Sequence, residues 1–458
     1  MGSGEQVSLN SLEKRAAVSL ALIFSMRMLG LFMLMPIMAV YGQELEGVSP
    51  LWIGLAIGAY GLTQALFQIP MGWLSDRFGR RPIIVVGLII FAIGSIIAGF
   101  AQSIEMVTVG RAIQGMGAIA SAVLALASDV TREEQRPKVM AVIGMCIGLS
   151  FAVALILGPM IANSFGLSGV FFVTAVMAAV GIIVVLTLVP VSYTQSNSGE
   201  VTASKGNLLS MLLNPQLLRL DAGVLILHWM MTSIFVAYPI LLSDTGLNIN
   251  DHWQVYLPVL FLSFVFMVPM IIIAAKKGVE KSMFISAIIM ITVASLLMAI
   301  SSSLWPLVFT VFIFFIGFNF LEASLPAHVS RLAPAGQKGT AMGVYSSSQF
   351  LGAFLGGVSG GYIVGEFGFI YLFAANGVIA LSWLVMALGM KLPPSSKRVS
   401  MQFDATTMTD FQHVIDKLGE CDGVIEATLV EDESRIYLKV NKSGYDQQTV
   451  SELVASLS

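Results

Sequence analysis

Long apolar stretches alternate with short polar segments along most of the chain. Most of these stretches run for about 18 to 25 residues, and at 1.5 Å per residue such a helix is long enough to cross the hydrocarbon core of a bilayer. Helices in the core of a soluble protein are usually shorter. The pattern therefore predicts a protein that crosses a membrane many times.

Twelve spans can be read from these stretches. The first six cover residues 16–41, 51–74, 83–101, 104–128, 139–162 and 169–189, and the last six cover residues 220–242, 253–275, 283–300, 304–329, 341–364 and 370–390. A long polar segment separates the two sets. The expected fold class is an all-α membrane protein with twelve transmembrane helices in two six-helix bundles. The predicted domains are a first bundle at 14–190, a linker at 191–218 and a second bundle at 219–391.

The chain after the last span has a different pattern. Its predicted elements are a strand at 398–403, a helix at 409–418, strands at 424–430 and 435–441, and a helix at 445–457. This order is typical of a small ferredoxin-like α+β domain, which we expect at residues 398–458. Eleven acidic residues face five basic ones in this segment, so that it is acidic while the rest of the chain is basic.

Basic residues in the short loops all lie on one side of the predicted membrane. The loops that hold Arg77 to Arg81, Arg132 to Lys138 and Lys276 to Lys281 are on that side, and the opposite loops contain no Lys or Arg. Because such loops stay in the cytoplasm, both termini and the linker are predicted to be cytoplasmic. The first apolar segment is expected to remain as a helix rather than to act as a cleaved signal. The expected location is the inner membrane of a bacterium.

Composition agrees with this picture. Hydrophobic residues make up 56% of the chain and charged residues 11%, too much apolar surface for an ordinary water-soluble globule. A net charge of -3 gives no reason to expect a nucleic-acid partner. Cys146 and Cys421 lack the neighbours of a metal or redox motif, so neither a metal nor a cofactor is expected. No pairing of a nucleophile with a base indicates an enzyme.

The two halves of the chain resemble each other weakly. RPKVMAV from Arg136 and QKGTAMGV from Gln337 each open a glycine-rich span that ends near a Phe-Gly pair. This similarity predicts an internal repeat of six helices. Parallel repeats with a binding site between them are a transporter architecture, in which the two bundles open the site to each side in turn.

The most specific motif is GWLSDRFGRRP, between the second and third predicted spans. Its glycines allow close packing and positive φ, its aspartate suits a helix N-terminus, and its arginines can hold anionic lipids or acidic partners. An ordinary charged loop would also be basic, but the spacing of Gly, Asp and Gly favours a specific motif. The residues concerned are Gly72, Asp76, Arg77, Gly79, Arg80 and Arg81.

This stretch resembles the signature loop of the major facilitator superfamily. GRAIQGMGA resembles the fourth-helix motif of the superfamily, with Arg111 as its central arginine. Gly148 followed by Gly158 and Pro159 resembles the antiporter motif in part, since Ala162 and Asn163 stand where that motif usually ends in a glycine pair. With its C-terminal domain, the chain is similar to the YajR-type subgroup of drug/proton antiporter-like proteins.

The resemblance implies a secondary active transporter that exports small, drug-like molecules in exchange for protons. It also implies a conformational latch in which Asp76 faces the start of the eleventh helix and Arg80 lies near Asp129. A fold by itself does not determine function. A facilitator or importer of small polar solutes and a non-transporting membrane sensor therefore remain open as alternatives.

Ionisable residues inside spans are costly, and they usually face a cavity or a partner. The candidates for proton coupling are Arg27, Arg111, His228 and Glu322. Glu322 is the best candidate for a proton carrier, because a carboxyl group inside a span can bind and release a proton. It could equally be a structural partner of Arg27 or His228. Arg27 could also bind an anionic group, and His228 could be a hydrogen-bonded structural residue.

Polar and aromatic side chains in several spans could line a cavity, or could only join helices. The candidates are Tyr60, Gln64, Phe67, Trp229, Asn319, Tyr345 and Gln349. The expected partners are a small-molecule substrate, protons and membrane lipids, and the expected state is a monomer. The acidic C-terminal domain could dock on the basic loops of its own chain, an attraction that salt would weaken.

Overall fold

The computed structural model describes residues 9–132, 135–190, 214–333, 338–390, 396–402, 411–430, 435–441, 445–446, 450 and 453. The chain divides into two compact units. The first comprises Met1–Ser196, Asp221–Ala323 and Tyr345–Leu388, and the second comprises Asn197–Leu220, Ser324–Val344 and Gly389–Ser458.

The apolar part of the chain forms long helices. They are α1 Ser11–Tyr41, α2 Pro50–Phe78, α3 Arg80–Gly99, α4 Ile104–Met116, α5 Ala120–Asp129, α6 Arg136–Thr187, α7 Pro215–Asp244, α8 Trp253–Lys277, α9 Glu280–Ile300, α10 Leu304–Leu332, α11 Lys338–Glu366 and α12 Phe369–Leu388. In the described part of the chain, ten helical stretches are long and apolar enough to cross a membrane. That number counts α6 once and does not include the glycine-rich α11.

Two predicted spans, 139–162 and 169–189, both lie in α6. This helix is 52 residues long, far more than one crossing requires. Gly166 interrupts it with φ 65° and ψ −173°, a conformation that favours glycine. The residues on either side of Gly166 correspond to the two predicted spans.

The fourth predicted span, 104–128, agrees with a candidate membrane span at Ile104–Asp129, but this stretch is not one continuous helix. The structure divides it into α4 and α5, with residues 117–119 between them outside either helix. Gly117 takes φ −73° and ψ 47°, and a Cβ atom placed there would lie 2.3 Å from the carbonyl oxygen of Gly87. The break therefore occurs where the backbone of this segment packs directly on α3.

The helices have two ends that differ in charge. The basic end is the one where α2 meets α3, with Arg77, Arg80 and Arg81. The acidic end is the opposite one, where α1 meets α2 and the connection carries Glu44 and Glu46. Between the two ends the surface is apolar, and the side chains most exposed on α8, for example, are Phe261, Phe266 and Val265. Such a belt is expected of helices that lie in lipid.

Glycines of α11 allow two other helices to approach its backbone. A Cβ atom on Gly357 would lie 2.4 Å from the carbonyl oxygen of Gly54 in α2, and one on Gly361 would lie 2.2 Å from that of Pro50. On α7, the carbonyl oxygen of Trp229 lies 2.1 Å from the position of a Cβ atom on Gly356. Small residues are typical of close helix packing in membranes. At the acidic end, α2 and α11 are therefore in direct backbone contact.

The second unit contains a small sheet. Its elements are β1 Ser396–Gln402, α13 Phe411–Gly419, β2 Val424–Val430 and β3 Arg435–Asn441. The strand order is β1-β3-β2, and β3 is antiparallel to both neighbours. Val414 and Leu418 of α13 share a buried cluster with Ile436, Leu438 and Val440 of β3. The predicted helix at 445–457 lies mostly outside the described residues.

Candidate functional site

The signature loop at the basic end brings three charged residues together. Gly79 makes the turn between α2 and α3 with a φ of 96°. Arg80 hydrogen-bonds to Asp76, and its Nε atom donates to Asp129 Oδ2 over 3.2 Å. Arg80 also donates to Ser75 Oγ over 2.9 Å. The predicted proximity of Arg80 and Asp129 is thus present, whereas their action as a latch stays a prediction, as does the position of Asp76 at the start of the eleventh helix.

Two other residues of this loop make local contacts. The guanidinium carbon of Arg77 lies 5.6 Å from the ring centroids of both Trp73 and Phe78. Those two rings are exposed, a position typical of aromatic residues at a membrane surface. Gly72 packs against α5, since a Cβ atom there would lie 3.2 Å from Ser121 Oγ.

Arg81 binds helix carbonyl groups, and its binding of an anionic lipid or acidic partner stays a prediction. It donates to the carbonyl oxygens of Val185 and Leu186 over 2.8 and 3.0 Å. Arg15 donates to those of Thr187 and Leu188 over 2.8 and 2.7 Å. Because the last carbonyl groups of a helix carry partial negative charge, the two arginines stabilise the end of α6.

The second half of the chain repeats this arrangement. In the first unit, Lys281 donates to the carbonyl oxygen of Leu388, the last residue of α12, over 2.8 Å. In the second unit, Arg219 donates to the carbonyl oxygen of Gly389. Arg15 and Arg219 are the fifth residues of α1 and α7, and Arg81 and Lys281 are the second residues of α3 and α9. These matching positions agree with the internal repeat predicted from the sequence.

Arg27 is buried in a polar network of α1 and α2. Its Nη2 atom donates to Gln64 Oε1 over 2.6 Å, and Gln64 Nε2 donates to Gln68 Oε1 over 2.8 Å. The guanidinium also lies over the rings of Tyr60 and Phe91, at 5.9 and 5.8 Å. The hydrogen-bond partner of Arg27 is therefore Gln64, and the suggested pairing with Glu322 is wrong for this structure.

Arg111 is the centre of a second buried network, which joins α2, α3 and α4. Its Nε atom donates to the carbonyl oxygen of Ala56 over 3.2 Å, and Nη1 donates to Gln114 Oε1 over 2.8 Å. Gln114 in turn donates to Ser95 Oγ over 2.7 Å. The ring of Tyr60 lies 4.9 Å from the guanidinium carbon. These contacts indicate that Arg111 holds three helices together.

Glu322 of α10 belongs to a site with His228 of α7 and Gln349 of α11. The amide nitrogen of Gln349 lies 2.8 Å from His228 Nε2 and 3.2 Å from Glu322 Oε1. His228 Nε2 lies 3.7 Å from Glu322 Oε2. The side chain of Glu322 is 38% exposed and that of His228 14% exposed, although the Oε2 atom of Glu322 is itself buried. The suggested pairing of Glu322 with His228 is present.

The contacts of His228 define which tautomer fits this site. Its Nδ1 atom lies 3.2 Å from the carbonyl oxygen of Val224, which can only accept a hydrogen bond. Nδ1 therefore carries the proton, and the lone pair on Nε2 accepts one hydrogen of the Gln349 amide. The other amide hydrogen is directed to Glu322. A proton added to Nε2 would break the bond from Gln349 and place an imidazolium beside the carboxylate.

The remaining cavity candidates are found in different surroundings. Asn319 is buried and donates to Ser263 Oγ over 2.8 Å, which joins α10 to α8. Phe67 packs on a small cluster that contains Met71. Trp229 is half-buried on α7. Tyr345 is buried on α11, and among the described residues its hydroxyl group has no hydrogen-bond partner.

The antiporter-like motif has contacts at only some of its positions. A Cβ atom on Gly158 would lie 2.5 Å from the carbonyl oxygen of Met33, so this glycine allows α6 to approach α1. Pro159 lies inside α6, and a Cβ atom on Gly148 would have nothing within 4 Å. Asn163, which departs from the motif, accepts a hydrogen bond from Asn250 Nδ2 over 3.0 Å.

The sequence reasoning missed two buried acidic residues. Asp221 is 8% exposed on α7. It lies at the edge of a predicted span, where a charged residue is common and does not by itself indicate a buried site. Glu13 is 1% exposed and bonds to Arg132 over 2.8 Å. Glu13 also completes a capping box with Asn10 at the start of α1, and that Asn-x-x-Glu spacing is visible in the sequence.

Comparison with known proteins gives the class to which this chain belongs. The model of the Major Facilitator Superfamily matches residues 20–320 and 220–418, so the chain belongs to that superfamily of transporters. The chain is 44% identical over 430 residues to the inner membrane transport protein YajR of Escherichia coli, an alignment that covers 94% of each protein. It is 26% identical over 371 residues to the multidrug resistance protein MdtH of Aeromonas salmonicida, covering 80% of this chain and 90% of MdtH.

Solved structures show the same fold. The nucleoside transporter NupG aligns with a TM-score of 0.67 at 13% identity, covering 82% of this chain and 99% of NupG. A D-xylose-proton symporter aligns with a TM-score of 0.68 at 13% identity, covering 84% of this chain and 98% of the symporter. At such low identity the likeness concerns the fold alone. The chain is thus an integral membrane protein with the helical fold of this superfamily.

Proposed function

We propose that the protein exports small, drug-like molecules from a bacterial cell in exchange for protons. The observation that carries this proposal is the site formed by Glu322, Gln349 and His228, where a partly exposed carboxyl group and a neutral imidazole share one amide. Both groups can bind a proton, and together with Gln349 they lie on three different helices. The multidrug resistance protein among the relatives adds support for drug-like cargo.

In this proposal the basic end faces the cytoplasm, as the distribution of Lys and Arg suggests. The protein lies in the inner membrane with both termini in the cytoplasm. Its two six-helix bundles rock about the cavity, and the group of Asp76, Arg80 and Asp129 acts as the latch that responds to this motion. The substrate enters from the cytoplasm, and protons enter from the opposite side.

Proton binding changes the contacts of the site in a defined way. When Glu322 is charged and His228 is neutral, the Gln349 amide donates to both. A protonated Glu322 loses its negative charge, and a protonated His228 can no longer accept from Gln349. Protonation of His228 therefore removes the bond from α11 to α7, and protonation of Glu322 weakens the charge-assisted bond from α11 to α10. Because these bonds join separate helices, protonation can alter the preference between inward-facing and outward-facing states.

Glu322→Gln tests the proposal. Inverted membrane vesicles with the intact protein should take up ethidium or another lipophilic cationic dye when a pH gradient is imposed. The variant should take up dye only at the rate seen without a gradient, because the amide cannot carry a proton. Glu366→Gln, which changes an exposed carboxyl group at the other end of α11, is the matched control and should behave like the intact protein.

Other results of this experiment would require a different function. Dye uptake that is independent of the gradient in the intact protein would indicate a facilitator. Gradient-driven uptake that persists in Glu322→Gln would show that protons are carried elsewhere. Ligand binding without any transport would favour the membrane sensor.

For the C-terminal segment we propose a ferredoxin-like domain that regulates transport by docking on the basic loops of its own chain. The strand order β1-β3-β2, with β1 and β2 both antiparallel to β3 and with α13 packed on the sheet, is the arrangement that such a domain requires. The excess of acidic residues in the segment is complementary to loops such as Lys276 to Lys281.

Removing the chain after Pro394 should leave membrane insertion intact and change the rate of dye transport. The change should shrink at high salt, because exposed charges are screened over about 10 Å at 0.1 M salt. Expression in membranes is the control for insertion. A truncated protein with the transport rate of the full chain at every salt concentration would contradict a regulatory role.

A further inference from the structure

A buried carboxyl group, Asp221, lies on the same helix as His228. Its side chain is 8% exposed, and within the described part of the chain its Oδ1 atom has no hydrogen-bond partner. A buried carboxylate without a donor is costly, because it loses its hydration and gains nothing in return. Binding a proton removes the charge. Asp221 therefore has the environment of a group that takes up and releases a proton.

The register of α7 and α11 places Asp221 close to the Glu322 site. The carbonyl oxygen of Leu225 lies 2.1 Å from the position of a Cβ atom on Gly352, so these two residues are at the same level. Asp221 lies one helical turn before Leu225 on α7. One turn before Gly352 on α11 is a position between Tyr345 and Gln349, so Asp221 is at the same height as this part of α11. Asp221 is thus on the basic side of the site, next to α11.

Tyr345 of α11 is a buried residue near both carboxyl groups. It is 4% exposed, and its hydroxyl group is within electrostatic range of both Glu322 and Asp221. That hydroxyl group has no hydrogen-bond partner among the described residues. Among the described residues, Tyr345 is thus a titratable group close to Asp221. Helix α12 packs on this part of α7 through Trp383, which contacts Gly223 and does not titrate.

We propose that Asp221 is a second proton-binding group, and that Tyr345 and Asp221 form the path by which protons leave Glu322 toward the basic end. The Tyr345 hydroxyl oxygen accepts the proton of Glu322, directly or through one water molecule, while the hydroxyl group gives its own proton to the Asp221 carboxylate. Asp221 then releases that proton to cytoplasmic water. This path rests on the proposed proton-driven export.

The test uses the full chain in inverted vesicles, with ethidium as the probe. Asp221→Asn and Tyr345→Phe should each slow gradient-driven uptake about tenfold. Exchange of ethidium across the membrane at equal pH should be unchanged, because it does not require net proton release. Asp221→Glu should restore the driven rate. Asp244→Asn, an exposed change at the other end of α7, is the matched control.

The outcomes separate this path from the proposed function. If Glu322→Gln abolishes driven uptake and Asp221→Asn does not slow it, only the path is wrong. If driven uptake survives in Glu322→Gln, the proposed function fails. An equal loss of driven uptake and exchange in Asp221→Asn would show a structural role and overturn the path.

A second measurement does not depend on the cargo. Infrared difference spectra of the purified full chain, recorded between high and low pH, should contain two signals of protonated carboxyl groups in an apolar environment. Asp221→Asn should remove one of them and Glu322→Gln the other. If no such signal disappears in Asp221→Asn, Asp221 does not bind the proton and the inference is wrong, whether or not ethidium is transported.

Discussion

Gly357→Leu should reduce transport about a hundredfold, because it prevents α2 and α11 from meeting at the acidic end. The position of a Cβ atom on Gly357 is 2.4 Å from the carbonyl oxygen of Gly54, and the reverse distance is 2.0 Å. A leucine cannot fit against backbone at such a distance. Overpacking costs about 3 kcal/mol, which corresponds to about a hundredfold change in the population of this state.

The measurement combines dye transport with the accessibility of a cysteine introduced at the acidic end of α2. Gly357→Leu should transport poorly and leave that cysteine open to a water-soluble thiol reagent. Gly144→Leu is the matched control, since a Cβ atom at exposed Gly144 has nothing within 4 Å. Gly357→Ala should give a smaller change in the same direction. Normal transport by Gly357→Leu would show that this contact does not form during the cycle.

Arg111→Ala should lower the stability of the protein by about 3 kcal/mol, the size expected when a buried, hydrogen-bonded charge is removed. The change leaves Gln114 and the carbonyl oxygen of Ala56 without their donor, and removes the cation beside Tyr60. The midpoint of thermal unfolding in detergent should fall by several degrees. Arg111→Lys should not restore it, because an ammonium group cannot donate along both of these directions at once.

Arg77→Ala is the matched control for this second prediction. Arg77 is exposed and contacts only ring faces in the described structure, so its removal should change stability little. If Arg111→Ala unfolds at the same temperature as the intact protein but loses proton-driven transport, the structural interpretation of Arg111 is wrong. Arg111 would then again be a candidate for proton coupling.

Span positions and charge patterns could be predicted well from the sequence because each depends on local properties. A helix that crosses lipid must be apolar over its whole length, and basic loops must remain on one side. The break at Gly166 falls between two predicted spans, whereas the break at Gly117 was not predicted. The break at Gly117 depends on a neighbouring backbone, because Gly117 packs against Gly87 of α3, which lies 30 residues earlier in the chain.

The contacts between side chains were predicted less well than the positions of the membrane spans. Glu322 had two suggested partners, Arg27 and His228, and hydropathy gives no means to choose between them. The choice depends on how far each helix rotates about its axis and on which polar group is nearest. For Arg27 that group is Gln64, one helix away. Asp221 was missed because a charge near the end of a span is usually solvated, and only the packing of α7 shows that it is buried.

The cations that bind the ends of α6 and α12 have a mechanical consequence. The long linker follows α6, and the acidic C-terminal segment follows α12, so both attach to helices whose last carbonyl groups are held from neighbouring helices by Arg15, Arg81 and Lys281. A force applied through the linker to α6, or through the C-terminal segment to α12, is therefore also transmitted to the first or third helix of the same half. Force from the linker or from the C-terminal segment would tilt a whole half of the transporter before it could unwind the last helix.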